Sequence, residues 1–255
     1  IFDVNALSAC IPGSTLVINA VAGLLNETSR NMFKKYYIEG PELIAKQCVQ
    51  FKVKKLIQIS SVGADSKSTS VYSSSKAKGE EKIFKIFSNV AIVRPSLIFG
   101  HEDRFFNRYA SLATYSPCVP IIGQNTKFQP VYVDDVALAV EKIATDKNLR
   151  GIFELGGPDI LTLKELIKKM LLIIRRKRLV LNITFNIARL MAQSFEIINK
   201  MTLGLAPLPF TIDNVKQLQR DNVISEDKNS FKDLGIKPQN IDTIIPLYLY
   251  SYRPH

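Results

Sequence analysis

The chain has 255 residues and carries 34 Lys and Arg against 23 Asp and Glu, a formal net charge of +11 at pH 7. With 46% hydrophobic and 22% charged residues it reads as globular rather than disordered, with length for one or two domains. No apolar run reaches the roughly 18 residues a membrane span needs, and three scattered cysteines (Cys10, Cys48, Cys118) with two histidines (His101, His255) exclude a disulfide framework, a cysteine-built metal centre and, in practice, a Ser/His/Asp triad.

Leu16–Ala20, after the Pro12-Gly13 turn signal, reads as a buried strand. Residues 31–51 read as a helix that Pro41 should bend or break. Lys55–Ser60 is a second buried strand, followed by a Ser/Gly/Asp-rich loop to about Ser70. Tyr72–Phe87 has helical spacing, with Ile83, Phe84 and Phe87 apolar, and Val90–Val93 is a third strand closed by Arg94-Pro95. Further on, Phe105–Thr114 reads as a helix, Phe128–Val133 as a strand, Asp134–Thr145 as a helix and Ile152–Leu155 as a strand. Thr162 and Glu165 form a capping box for a helix to about Ile174. Leu179–Leu203 reads as one or two amphipathic helices, ended by Pro207 and Pro209. Thr211 caps a helix to Arg220, and Gly235 closes a short final one. The alternation of buried strands and helices is that of an α/β protein with a parallel sheet covered on both faces.

Tyr72 and Lys76 lie four apart on one helix face. An ammonium beside a phenol favours the phenolate, and such a pair can serve as general acid or base toward an alcohol or ketone. Ser60 and Ser61 end the preceding strand, where open α/β sheets bind ligands and a hydroxyl can polarise a carbonyl. These four are the candidate catalytic residues.

An ordered set of motifs surrounds them: 17-Val-Ile-Asn-Ala-Val-Ala-Gly-23, Ile59-Ser60-Ser61, Tyr72-x-x-x-Lys76, Arg94-Pro95-Ser96-Leu97-Ile98-Phe99-Gly100 and 129-Gln-Pro-Val-Tyr-Val-Asp-Asp-Val-136. The set resembles the extended or atypical short-chain dehydrogenases/reductases, Rossmann-type NAD(P) proteins related to NAD-dependent epimerases. Residues 99–108, 127–132 and 245–253 are most similar to the nucleotide-binding accessory subunit of respiratory complex I and its bacterial relatives. The resemblance covers essentially the whole chain. It implies a doubly wound Rossmann-type domain (1–98 and 125–157, without its first βαβ unit) and a smaller, mainly helical C-terminal domain (99–124 and 158–255).

The resemblance also implies roles. Asn19, Ala20, Val21, Ala22 and Gly23 would run along the ribose and phosphate side of NAD or NADP. Lys76 would hydrogen-bond the nicotinamide ribose, Tyr72 would face the nicotinamide, and Pro95, Ser96 and Leu97 would touch the carboxamide. Three departures stand out. The 255 residues hold no Gly-x-Gly-x-x-Gly loop, the element that supplies a pyrophosphate site, so dinucleotide binding is expected to be weak or absent, and Ile1-Phe2-Asp3 reads as the turn after the family's third strand. Tyr36-Tyr37-Ile38-Glu39-Gly40 stands where the family's enzymes often have Val-Asn-Val-x-Gly. The 61–72 loop is short for a substrate wall.

Other features have two readings each. His101-Glu102-Asp103-Arg104 is an acid/base cluster, or a loop in which Asp103 caps a helix. Arg175-Arg176-Lys177-Arg178 is a helix C-terminus, or a contact for anionic lipid or an acidic subunit. Phe185, Leu190, Met191, Phe195 and Ile198 line a membrane-surface helix, or the core of the small domain. Tyr248, Tyr250 and Tyr252 suit an interface that keeps their hydroxyls wet, and the cysteines suit buried positions. Nothing indicates nucleic-acid binding. The surplus charge is either lysine-rich composition or a complement to an anionic partner.

The expected function is an accessory subunit or assembly factor of an NADH:quinone oxidoreductase, peripheral on the cytoplasmic or matrix side of the membrane, in which the dinucleotide is structural. The alternatives are a free reductase or epimerase using Tyr72 and Lys76, and a truncated remnant that binds no nucleotide.

Overall fold

The computed structural model describes residues 2–23, 29–203, 205–206 and 208–254. In chain order the elements are α1 (Val4–Cys10), β1 (Leu16–Asn19), α2 (Arg30–Lys34), a π-helical turn (Lys35–Glu39), α3 (Gly40–Gln50), β2 (Lys55–Ile59), α4 (Val71–Ile86), β3 (Val90–Pro95) and β4 (Ile98–Phe99). Then come α5 (Phe106–Tyr115), β5 (Cys118–Ile122), β6 (Lys127–Phe128), β7 (Val131–Tyr132), α6 (Val133–Thr145), β8 (Gly151–Leu155), β9 (Leu161–Thr162) and α7 (Leu163–Ile173). The chain closes with β10 (Leu179–Ile183), α8 (Phe185–Met201), α9 (Ile212–Gln217), α10 (Ile241–Leu249) and a 3₁₀ turn (Tyr250–Tyr252).

The main sheet has the order β1-β2-β3-β8, every pair parallel. Its strands are apolar on both faces because helices cover both. One face packs Ile57, Ala91, Val93 and Phe153 against Val136, Ala139 and Ile143 of α6. The other packs Leu56, Val90 and Ile92 against Ile44, Ala45 and Cys48 of α3 and Ile83 of α4. A further core joins Phe99 and Phe106 to Leu166, Ile167 and Met170 of α7 and Ile241 and Ile245 of α10. A parallel sheet with helices on both faces is the α/β architecture the sequence reading expects.

Several elements differ from their sequence readings. The 31–51 helix is not broken at Pro41, which sits in the first turn of α3; the irregularity lies one turn earlier, in the π-helical turn. Proline cannot donate and its ring would strike the carbonyl four residues back, here Tyr37. That carbonyl is turned toward α4, where a Cβ on Gly79 would stand 1.9 Å from it. Residues 179–183 are not helical: β10 pairs in parallel with all five residues of β5, a short apolar run whose state the partner strand decides. Gln129-Pro130 divides the 128–133 strand into β6 and β7. Gly235, at φ 63°, ends a series of turns rather than a helix. The capping box at Thr162 is present as read, and Thr211 caps a shorter helix, α9, through a box with Asn214. Cys48 is buried, which lifts its thiol to about 11, but Cys10 is exposed and Cys118 half-buried. The readings placed on Ile1 and Pro207 lie outside the described residues.

Candidate functional site

The site forms at the carboxyl ends of β1 and β2, where α4 begins. β1 ends in Asn19, which is buried: its amide donates to Gln58 Oε1 (2.7 Å) and its own oxygen accepts from Val21 N–H (3.2 Å), shaping the turn. Ala20, Val21 and Ala22 are exposed, and Gly23 N–H donates to the Tyr37 hydroxyl (2.9 Å). Ser60 and Ser61 follow the last residue of β2, Ile59. Ser60 Oγ bonds Glu80 of α4, whereas the buried Ser61 Oγ makes no hydrogen bond among the described residues.

Tyr72 and Lys76 come one turn apart on α4. The buried Lys76 ammonium lies 4.7 Å from the Tyr37 ring centroid and 5.7 Å from that of Tyr72, and donates to Ile59 O at 3.5 Å. The two tyrosine rings meet edge to face, 5.3 Å apart at 81°. The space left beside Lys76, lined by Tyr37, Gln58, Ser60 and Glu80 among others, is about 10 Å³, room for a single water at most. Of the third candidate segment, Pro95 O accepts from Val62 N–H, Ser96 Oγ donates to Asn222 O (2.9 Å) and Leu97 O accepts from Val131 N–H. The structure thus brings together Asn19–Gly23, Ser60, Tyr72 and Lys76. It engages Ser96 with the C-terminal segment.

Two parts of the site escaped the sequence reading. The first is a buried ionic network: Arg94 bonds Glu80 (2.5 Å) and Glu154 (3.0 Å), and Glu154 also accepts from Ser225 N–H (2.8 Å). Burial alone would lower the Arg94 pKa; Glu80 and then Glu154 outweigh it and hold the value above the usual one. Glu80 falls at i+8 from Tyr72 and i+4 from Lys76, a spacing that was legible. The second is Asp213 of α9, which accepts from Val71 N–H (2.6 Å), Tyr72 N–H (3.2 Å) and Ser70 Oγ–H (2.9 Å). A carboxylate from 141 residues away along the chain caps the helix that carries Tyr72 and Lys76. Arg220–Asp65 (2.7 Å) and Lys216 Nζ to Thr69 O (3.2 Å) tie the same segment to the 61–70 loop. The half-exposed Asp65 is held below the usual carboxylate range, chiefly by Arg220.

Away from the site, Asp103 is a helix cap: it accepts from Phe106 N–H (2.5 Å) and from the Tyr248 hydroxyl (2.6 Å). Tyr248 is therefore buried rather than wet, and burial, then Asp103, push its phenol well above the usual range. Within the cationic run, Arg176 and Arg178 donate to Tyr252 O and Ala113 O, leaving Arg175 and Lys177 exposed. Helix α8 buries Ala188 and Ala192. Ile187, Leu190, Ile197, Ile198 and Met201 are exposed, and at about 100° per residue they share one arc facing away from that contact. No helix among the described residues is long and apolar enough to cross a membrane, and no group of three metal-ligating side chains is found among them.

No family model matches the chain. Among curated proteins it is 31% identical over 252 residues to the mitochondrial NADH-ubiquinone oxidoreductase 40 kDa subunit of Neurospora crassa, covering 98% of this chain and 64% of that one. It is likewise 31% identical over 259 residues to the mitochondrial NADH dehydrogenase (ubiquinone) 1 alpha subcomplex subunit 9 of Arabidopsis thaliana, again 98% of this chain and 64% of that one. The chain is a homologue of these oxidoreductase subunits. It spans just under two thirds of their length. The fold is shared with DesIV, a dTDP-glucose 4,6-dehydratase of Streptomyces venezuelae solved with NAD bound: the TM-score is 0.72 at 15% identity, over 98% of this chain and 76% of that one. The fold is therefore the one this NAD-bound dehydratase has.

Proposed function

We propose that this protein is an accessory subunit of an NADH:quinone oxidoreductase and that its α4 site holds a nicotinamide dinucleotide as a structural ligand. The observation that carries the reading is 31% identity to two such subunits over 98% of the chain. The residues present fit the nicotinamide-ribose half of the ligand. The exposed 20–22 turn and the enclosed Lys76 ammonium offer polar contacts, and Tyr72 supplies a ring. When bound, the dinucleotide would supply hydride chemistry. Asp213 ties α9 across the start of α4, a tether that favours retention over turnover. A ligand that binds the native state alone stabilises it by mass action.

The same reading makes residues 1–98 and 125–157 the nucleotide domain and 99–124 with 158–255 the docking domain, peripheral on the matrix or cytoplasmic face. The outward apolar arc of α8, with Arg189 and Lys200 as its exposed charges, and the cations Arg175 and Lys177 suit a partner subunit or anionic headgroups. A free reductase or epimerase is the second reading. Tyr72 and Lys76 one turn apart on one helix, with Ser60 lining the space beside Lys76, favour it.

The test is affinity capture of the tagged protein from its own membranes in mild detergent, with partners and bound nucleotide identified by mass spectrometry. Co-recovery with oxidoreductase subunits and a retained dinucleotide is expected, unchanged in Tyr72→Phe. Recovery alone from the soluble fraction, with a reductase activity that Tyr72→Phe abolishes, would replace this reading with the second.

A further inference from the structure

One side chain links Gly23, Tyr72 and Lys76 of the α4 site. Tyr37 faces the Lys76 ammonium with its ring (4.7 Å), meets the Tyr72 ring edge to face (5.3 Å), stacks on Phe33 (6.0 Å) and accepts the Gly23 N–H at its hydroxyl (2.9 Å). We propose that Tyr37 is the positioning residue of this site: its ring holds the lysine, and its hydroxyl holds the 19–23 turn, so one group sets both surfaces that a dinucleotide ribose would meet. The inference rests on the dinucleotide reading above for its ligand, and on geometry alone for the role of Tyr37.

The chain is built to hold this side chain in place. Pro41 lies four residues after Tyr37 and displaces its carbonyl, which gives the π-helical turn. The displaced carbonyl needs room at α4, and Gly79 provides it: any Cβ there would collide with backbone at 1.9 Å. The turn is thereby seated against the helix that carries Tyr72 and Lys76, with the Tyr37 ring between them and Gly23.

Lys76 needs that ring. An ammonium has three N–H donors, and the hydrogen bond found for this buried one is to Ile59 O at 3.5 Å. The remaining space, about 10 Å³, does not admit a hydration shell. The face of an aromatic ring, negative through its quadrupole, is the attraction that replaces water here. The nearer ring belongs to Tyr37, not to Tyr72.

The experiment uses the full chain and two variants, Tyr37→Phe, which keeps the ring, and Tyr37→Leu, which does not. Three quantities are measured: acetylation of Lys76 by an amine reagent in nucleotide-free protein, read by mass spectrometry; amide exchange at Gly23; and affinity for NADH and NADPH. Tyr37→Leu should speed Lys76 acetylation about tenfold and weaken dinucleotide binding by a similar factor, whereas Tyr37→Phe should leave acetylation within about twofold of the parent. Both variants should speed Gly23 exchange, since both lose the hydroxyl. Lys76 acetylation unchanged in Tyr37→Leu, or Gly23 exchange unchanged in Tyr37→Phe, would overturn the assignment. Should Tyr37→Leu not fold, Tyr37→Phe decides through Gly23 exchange alone. If the parent binds neither NADH nor NADPH, the dinucleotide reading fails, while the acetylation and exchange measurements still decide the role of Tyr37.

Discussion

Replacing Arg94 with Met would leave the Glu80 and Glu154 carboxylates, each 4% exposed, without the guanidinium that now bonds both. Ser60 Oγ would still donate to Glu80 and Ser225 N–H to Glu154, but neither donor carries a charge. Breaking a buried ionic group by removing one partner costs about 3–5 kcal/mol, because the remaining charge keeps its desolvation penalty and loses its attraction. For a chain of this size that is a fall of roughly 6–20 °C in Tm, measurable by calorimetry or by denaturant unfolding. The site should suffer with it, since Arg94 holds Glu80, Glu80 holds Ser60, and Glu80 stands one turn beyond Lys76 on α4. The control is the triple variant Arg94→Met, Glu80→Gln, Glu154→Gln. A neutral, hydrogen-bonded replacement of a buried ionic group is close to isoenergetic, so most of the loss should return. The reasoning is refuted if Arg94→Met costs under about 1 kcal/mol, or if the triple variant is less stable than the single one.

Asp213→Ala removes the acceptor shared by Val71 N–H, Tyr72 N–H and Ser70 Oγ, and loss of such a cap should cost about 0.5–2 kcal/mol. Hydrogen exchange should localise the change to the first turn of α4 and the 61–70 loop; an effect confined to α9 would show that the cap does not hold α4. Asp135 lies buried in the first turn of α6, and burial raises its pKa despite the Gln239 N–H it accepts. The folded state therefore holds this proton more tightly than the unfolded state. Its contribution to stability is full below the ordinary value of 3.8 and is lost as pH rises through the raised one. Asp135→Asn should gain on the wild type as pH rises from 3 to 7, read as the difference in Tm between the two; a difference independent of pH would contradict the assignment.

Much of the architecture could be read from local pattern. The strands β1, β2, β3 and β8 are apolar runs bounded by turn residues, and the helices α4, α6 and α7 carry their apolar positions at helical spacing. Thr162 and Glu165 mark a helix start because both halves of a capping box lie within four residues. Tyr72 and Lys76 were legible for the same reason: one helical turn relates them, and a helix is a local object.

What escaped that reading depends on contacts between distant residues. Leu179–Ile183 is a strand because β5 offers it a parallel partner; alone, those five apolar residues fit a helix as well. The π-helical turn needs Pro41 to displace a carbonyl and Gly79, in another helix, to receive it. Arg94, Glu80 and Glu154 come from β3, α4 and β8, and only the sheet order β2-β3-β8 brings their charges together in the interior. Asp213 caps a helix that precedes it by some 140 residues. The sequence by itself determined the strands of the main sheet, most of the helices and which helix carries the tyrosine and lysine, because propensity, capping and periodicity act over one or two turns. Tertiary structure alone decided what surrounds that lysine, because enclosing a charge takes groups from several elements at once, and their meeting is written in the topology rather than in any one stretch of the chain.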